Sequence, residues 1–101
     1  MPTYILLSSW TRKGIENVKD SPNRLDKAKE GFRALGCEIK EFWFCQGRYD
    51  MVVMIEAPDI QTYAKALLKL GSYGNIHAET LRALSEEEYR EIIAAIPWAP
   101  A

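Results

Sequence analysis

Between residues 38 and 56 the chain carries two β-rich runs with only Gly47-Arg48 between them. On each side of that pair stand an amphipathic helix and one further β-rich run. This order constrains the fold more than any other feature. So short a turn makes the central pair an antiparallel hairpin, and each flanking helix is long enough to carry the chain over to an outer strand.

The first run is Tyr4 to Ser9. Trp10-Thr11-Arg12-Lys13-Gly14 then turns the chain, with Ile15 and Val18 expected inward on a short helical piece. Ser21-Pro22 reads as an N-cap followed by proline at the first helical position, where its missing N–H costs nothing. Leu25, Ala28, Phe32 and Leu35 repeat at spacings of three and four, the stripe of an amphipathic helix, and Gly36 ends it. Glu38 to Gln46 is the second strand and Tyr49 to Glu56 the third. Pro58-Asp59 opens a second helix with Ile60, Tyr63, Ala64, Leu67 and Leu70 on one side and Gly71 closing it. Ile76 to Leu84 is the fourth strand. Ser85-Glu86-Glu87-Glu88 is a capping box with carboxylates at the positive end of the helix dipole. Tyr89, Ile92, Ile93 and Ile96 give the last helix its stripe, until Pro97 stops it.

The order β-α-β-β-α-β plus a C-terminal helix predicts an α+β, ferredoxin-like domain, a four-stranded antiparallel sheet with both main helices on one face. Strands one and three are expected as parallel neighbours joined by a right-handed crossover. The 101 residues fit one domain, taken as residues 1–96 with a short tail at 97–101.

A sheet with one wet face alternates apolar and polar residues. These strands do not. Ile5 and Leu7 oppose Tyr4 and Leu6; Ile39 and Trp43 oppose Phe42 and Phe44; Met51, Val53 and Ile55 oppose Val52 and Met54. Two helices cover one face, so the other needs a cover of its own. A second copy of the sheet is the favoured one, giving a homodimer. The alternative is the C-terminal helix folding back over its own sheet.

A formal charge of −1 and a pI near 5.8 give no field that would draw in nucleic acid or an anionic membrane. The cations of the first helix alternate with Glu16, Asp20, Asp26 and Glu30, as on a solvated face. No apolar stretch approaches the ~20 residues of a membrane span. No basic segment leads into an apolar one at the start, so a cytoplasmic chain is expected. Cys37 and Cys45, eight apart on one extended stretch, would hold their Cα atoms about 26 Å apart, far beyond disulfide reach. They are expected as reduced thiols.

Chemistry has few candidates. His77, the single histidine, shares a strand face with Glu79, which could orient it for acid–base work; a solvent-side histidine after the Gly74-Asn75 turn is the plainer reading. One histidine and two distant cysteines supply no metal site, and no cofactor is expected, although a haem needs only one axial histidine. Cys45 could be activated by Arg48, but a free cysteine is more often a small buried hydrophobe. Gly71-Ser72-Tyr73-Gly74-Asn75 follows a helix and lacks the lysine of a phosphate loop, so it reads as a cap and turn. Gly47-Arg48-Tyr49-Asp50 carries more side chains than a turn requires. Asp50 could accept from turn amides while Tyr49 packs, or the group could meet a ligand at the sheet end.

That last tetrapeptide is the signature for which the GYD-domain family is named, and the chain resembles that family. Pro2-Thr3-Tyr4-Ile5-Leu6-Leu7, Gly14-Ile15, Val18-Lys19-Asp20-Ser21-Pro22, Gly71-Ser72, Gly74-Asn75, Glu79-Thr80-Leu81-Arg82-Ala83 and Glu88-Tyr89 carry the likeness further, from Pro2 to about Ile93. The resemblance implies a small ferredoxin-like domain related in shape to dimeric α/β barrels, with no established activity to carry over. His77 falls outside the signature stretches, as does Pro97-Trp98-Ala99-Pro100.

Two functional readings follow. In the favoured one, a homo-oligomer encloses a small apolar cavity between paired sheets for an organic ligand, or serves interaction alone. Tyr4 with Trp43 or Phe42 would line the cavity, and Arg48, Tyr49 and Asp50 would stand at its mouth. In the other, the fold carries a cofactor-independent or haem-using enzyme with His77 as base or axial ligand, Glu79 orienting it, and Tyr49 or Asp50 donating a proton.

Overall fold

A computed structural model describes residues 1–99; Pro100 and Ala101, the end of the short tail, lie outside them. The strands are β1 (Thr3–Trp10), β2 (Glu38–Phe44), β3 (Met51–Glu56) and β4 (Ile76–Ala83). The helices are α1 (Arg12–Glu16), α2 (Ser21–Ala34), α3 (Ile60–Ser72) and α4 (Glu86–Ala95). The sheet runs β2-β3-β1-β4, every neighbouring pair antiparallel. The expected α+β ferredoxin-like fold is therefore present.

One expectation fails. β1 and β3 are neighbours, but antiparallel, with Leu6 opposite Val53. The reason lies in the connections. The α2 crossover makes β2 parallel to β1, and the hairpin then reverses the chain so that β3 slots between them antiparallel to both.

Local boundaries move for local reasons. A 3-10 turn at Val18–Asp20 runs into α2, so Ser21 already belongs to the helix and Asp20 caps it without a side-chain bond. In α3 the Asp59 carboxylate accepts from the Thr62 amide, but the helix continues through Gly71 to Ser72. The left-handed residue after α3 is Gly74 (φ +76°), as Gly36 (φ +90°) is after α2. The hairpin is wider than a two-residue turn, spanning residues 45–50 with Gly47 at φ +145°. Ile15 points to solvent, and Gly14 is the buried residue of α1.

The core lies between the sheet and the two long helices. Tyr4 and Leu6 from β1, Val53 and Ile55 from β3, Phe32 from α2 and Tyr63 from α3 are all buried. Tyr4 and Tyr63 stack with ring centroids 4.3 Å apart, and the Tyr63 hydroxyl bonds to Thr80 Oγ1 at 2.8 Å, which satisfies its polar end.

The opposite sheet face has no such cover. The strand alternation puts Ile5, Leu7, Val52 and Met54 there, half-buried, beside Trp43 and Leu81, which are 47% and 52% exposed. The C-terminal helix does not fold back over this face. Every residue of α4 is exposed, and no described element makes more than a marginal contact with it. Its capping box is complete: the Ser85 hydroxyl accepts from the Glu88 amide and the Ser85 amide donates to the Glu88 carboxylate, both at 3.0 Å. The arm lengthens the molecule to 58 × 31 × 19 Å.

The chain exposes 7129 Å², whereas a monomer of its 11.5 kDa would expose about 5,800 Å². The excess of about 1,300 Å² exceeds the ~800 Å² that one partner gives up in an interface of standard size.

Candidate functional site

The hairpin residues 45–50 meet the end of β1 and the start of β4 at one end of the sheet. Asp50 ties three strands together there. Its amide donates to the Ser8 carbonyl at 2.9 Å, its carbonyl accepts from the Cys45 amide at 2.7 Å, and its carboxylate accepts from the Trp10 amide at 3.0 Å. That carboxylate satisfies the N–H of Trp10, which lies beyond the last β1–β3 pair, Ser8 with Met51. Replacing Asp50 with alanine leaves that amide without its charged acceptor, at a cost of about 2 kcal/mol. Urea unfolding followed by tryptophan fluorescence is expected to show the lower midpoint.

Tyr49 reaches across the open face to donate to the Glu79 carboxylate at 2.9 Å. That bond, followed by slight burial, holds the phenol above its ordinary pKa against the opposing pull of Arg48. Tyr49 therefore stays protonated through the neutral range, as a donor rather than a nucleophile. The Arg48 guanidinium lies 5.6 Å from the centre of the Tyr49 ring, and both side chains border solvent. Tyr49→Phe is expected to leave the urea midpoint unchanged while freeing the Glu79 carboxylate, so any loss of assembly or partner binding would mark a contact role.

His77 lies opposite Ser9 on the same open face. It makes no side-chain hydrogen bond among the described residues, because Glu79 is turned to Tyr49 instead. The two share a face as expected, but they do not form a pair. Tyr4 goes to the core, stacked under Tyr63, and does not line the open face. Trp43 does stand on that face, whereas Phe42 packs on the helix side. Cys37 is buried and Cys45 half-buried, both as free thiols; burial pushes the Cys37 thiol up, which makes it a poor nucleophile. Among the described residues no three His, Cys, Asp or Glu side chains come together as metal ligands, and no helix is long and apolar enough to cross a membrane.

A second concave region lies where no motif pointed. Between α2, α3 and the sheet a groove of about 800 Å³ opens to solvent, walled by Leu25, Phe32, Leu35, Phe42, Met51 and Leu70. Four cations line it, Lys13, Arg24, Lys27 and Lys69, and no carboxylate does. Arg24 and Lys27 share one face of α2, but Lys13 and Lys69 come from α1 and α3, and only the packing of the three helices gathers all four.

A family model described as "GYD domain" matches residues 4–93. The "Glutamine synthetase and cystathionine beta-lyase binding protein" of Thermus thermophilus is 35% identical over 85 residues, covering 83% of this chain and 90% of that protein. The crystal structure of TTHA0845, also from Thermus thermophilus, matches with a TM-score of 0.55 at 21% identity. It covers 84% of this chain and 95% of that one, a likeness of fold.

Proposed function

We propose, from the premise that the chain belongs to the GYD domain family, that it is a self-associating protein-interaction domain whose partner is a metabolic enzyme. The observation that carries this is the surface excess of about 1,300 Å², in a chain that leaves an apolar sheet face and a whole helix uncovered. A second copy laid on Ile5, Leu7, Val52 and Met54 covers the face, in the manner of a closed homo-oligomer. The partner class follows the name of the Thermus relative, a binding protein for glutamine synthetase and cystathionine beta-lyase. Two free cysteines fit work in the reducing cytoplasm. In the paired form Trp43 and the Tyr49–Glu79 bond border the space between sheets, the place for any small organic ligand. The enzyme reading draws no support from His77, which has no carboxylate to orient it among the described residues.

Sedimentation velocity tests both halves. The chain alone is expected to sediment as two or more copies, and adding glutamine synthetase from the same organism is expected to bring both proteins into one faster boundary. Single-copy sedimentation at all concentrations overturns the self-association. Independent boundaries with both glutamine synthetase and cystathionine beta-lyase overturn the choice of partner.

A further inference from the structure

We propose that α4 is an exchanged arm, which docks in the groove between α2, α3 and the sheet of a second copy. The inference rests on the self-association reading and adds the surface that carries the exchange.

α4 has ten residues, and an isolated helix of that length is marginal in water without a packing partner. Its stripe of Tyr89, Ile92, Ile93 and Ile96 is 38–59% exposed. Its charged residues are Glu86, Glu87, Glu88, Glu91 and Arg90, and Arg90 is paired with Glu86 at 2.8 Å. The helix is therefore amphipathic and acidic, its stripe without an apolar partner and only Glu86 held in an ion pair among the described residues.

The groove lacks the converse. Its walls are apolar, and its charged lining is wholly cationic. Lys13 and Arg24 donate to backbone carbonyls, of Tyr73 for the lysine and of Asn17 for the arginine. The ammonium groups of Lys27 and Lys69 make no ion pair or hydrogen bond among the described residues. In a chain with 14 acidic and 13 basic residues, a lining with four cations and no carboxylate is complementary to α4 in sign as well as in polarity. The groove's 800 Å³ is ample for the side chains of a helix stripe.

Geometry assigns the arm to another copy. α4 leaves the sheet at the Thr3–Ala83 end, whereas three of the four cations, Lys13, Arg24 and Lys69, lie toward Trp10, Asn75 and Ile76, at the other end of the strands. Eight residues of strand separate the two ends by about 25 Å. The groove and the open face lie on opposite sides of the sheet, so one copy covers the face while the arm remains free to reach another groove.

Two charge variants and their mixture test the proposal. Lys27→Glu with Lys69→Glu alters the groove, and Glu87→Lys with Glu91→Lys alters the arm while sparing the capping box and the Arg90 pair. All four positions are exposed or half-exposed, and circular dichroism confirms that each variant is folded. Each variant alone is expected to need at least tenfold more protein to reach the weight-average mass of the natural chain. Mixed in equal amounts, they restore the natural mass, because each groove then meets an arm of opposite sign. Undiminished assembly of both variants, or a mixture no better than its parts, overturns the arm exchange while leaving the sheet-face pairing intact. A natural chain that sediments as a single copy overturns both readings. A small molecule of a few hundred daltons retained by the natural chain in native mass spectrometry, with assembly indifferent to the charge variants, assigns the groove to that ligand instead.

Discussion

Gly14→Ala is expected to destabilise the domain by about 4 kcal/mol, a large share of the ~5–15 kcal/mol by which a protein of this size is stable. A Cβ at position 14 would stand 2.1 Å from the Asn75 carbonyl oxygen and 3.0 Å from Trp10 Cδ1. The first obstacle is backbone, so it has no rotamer to give way. α1 would have to lift off the loop after α3, and that loop holds α1 by more than one bond. The Thr11 amide donates to the Asn75 carbonyl at 3.0 Å, and the Thr11 hydroxyl donates to the Gly74 carbonyl at 2.7 Å while accepting from the Gly14 amide at 3.1 Å. Overpacking costs roughly 1–3 kcal/mol, and each lost hydrogen bond adds about 1 kcal/mol. For about 100 residues the sum lowers the melting temperature by on the order of 15–25 °C. Calorimetry of the two proteins side by side reads it; a shift of only a few degrees would mean that the α1–loop contact is loose.

The same contact marks where sequence reading succeeds and where it stops. Gly14 and Gly74-Asn75 stand out as separate glycine-bearing stretches, and their resemblance to one family suggests that both matter. Nothing in the chain says that they touch. Period and capping are local signals, and they located the strands and helices to within a few residues, down to the Ser85–Glu88 box. Strand direction is less local. The hairpin alone reverses β3, and reading β1 and β3 as parallel confuses the strand beyond the crossover with the strand inserted beside it. Side-chain destination follows the same rule. Alternation separates Tyr4 from Ile5 but does not say which of them faces the helices; that follows from Tyr63 lying over Tyr4. Asp50 was legible as a turn acceptor, whereas its actual donor, the Trp10 amide, lies forty residues away. The groove was not legible at all, since its four cations come from three helices.

Leu7→Glu is expected to raise the dissociation constant of the self-associated form by a hundredfold or more. Leu7 lies at the middle of β1, between Val52 on β3 and Glu79 on β4, so it sits at the centre of the open face rather than on its rim. Centrally placed, desolvated positions carry most of an interface's energy. A carboxylate placed there would be buried against the apolar residues of a second sheet with no cation to meet it. Its own Glu79 adds like charge, and the partner's symmetric copy brings another carboxylate to the same contact. An uncompensated buried charge costs about 3–5 kcal/mol, and each 1.4 kcal/mol is tenfold in affinity, which gives about two to three and a half decades. In a single chain the position is only half-buried, so the substitution costs a monomer no more than the ~1 kcal/mol range of strand propensities. The fold should therefore survive while the assembly does not, and sedimentation equilibrium separates the two effects. Leu7→Met, which keeps the face apolar, is expected to retain the natural mass. An assembly that tolerates glutamate at this position would place the contact between copies elsewhere, on α4 and the groove that matches it.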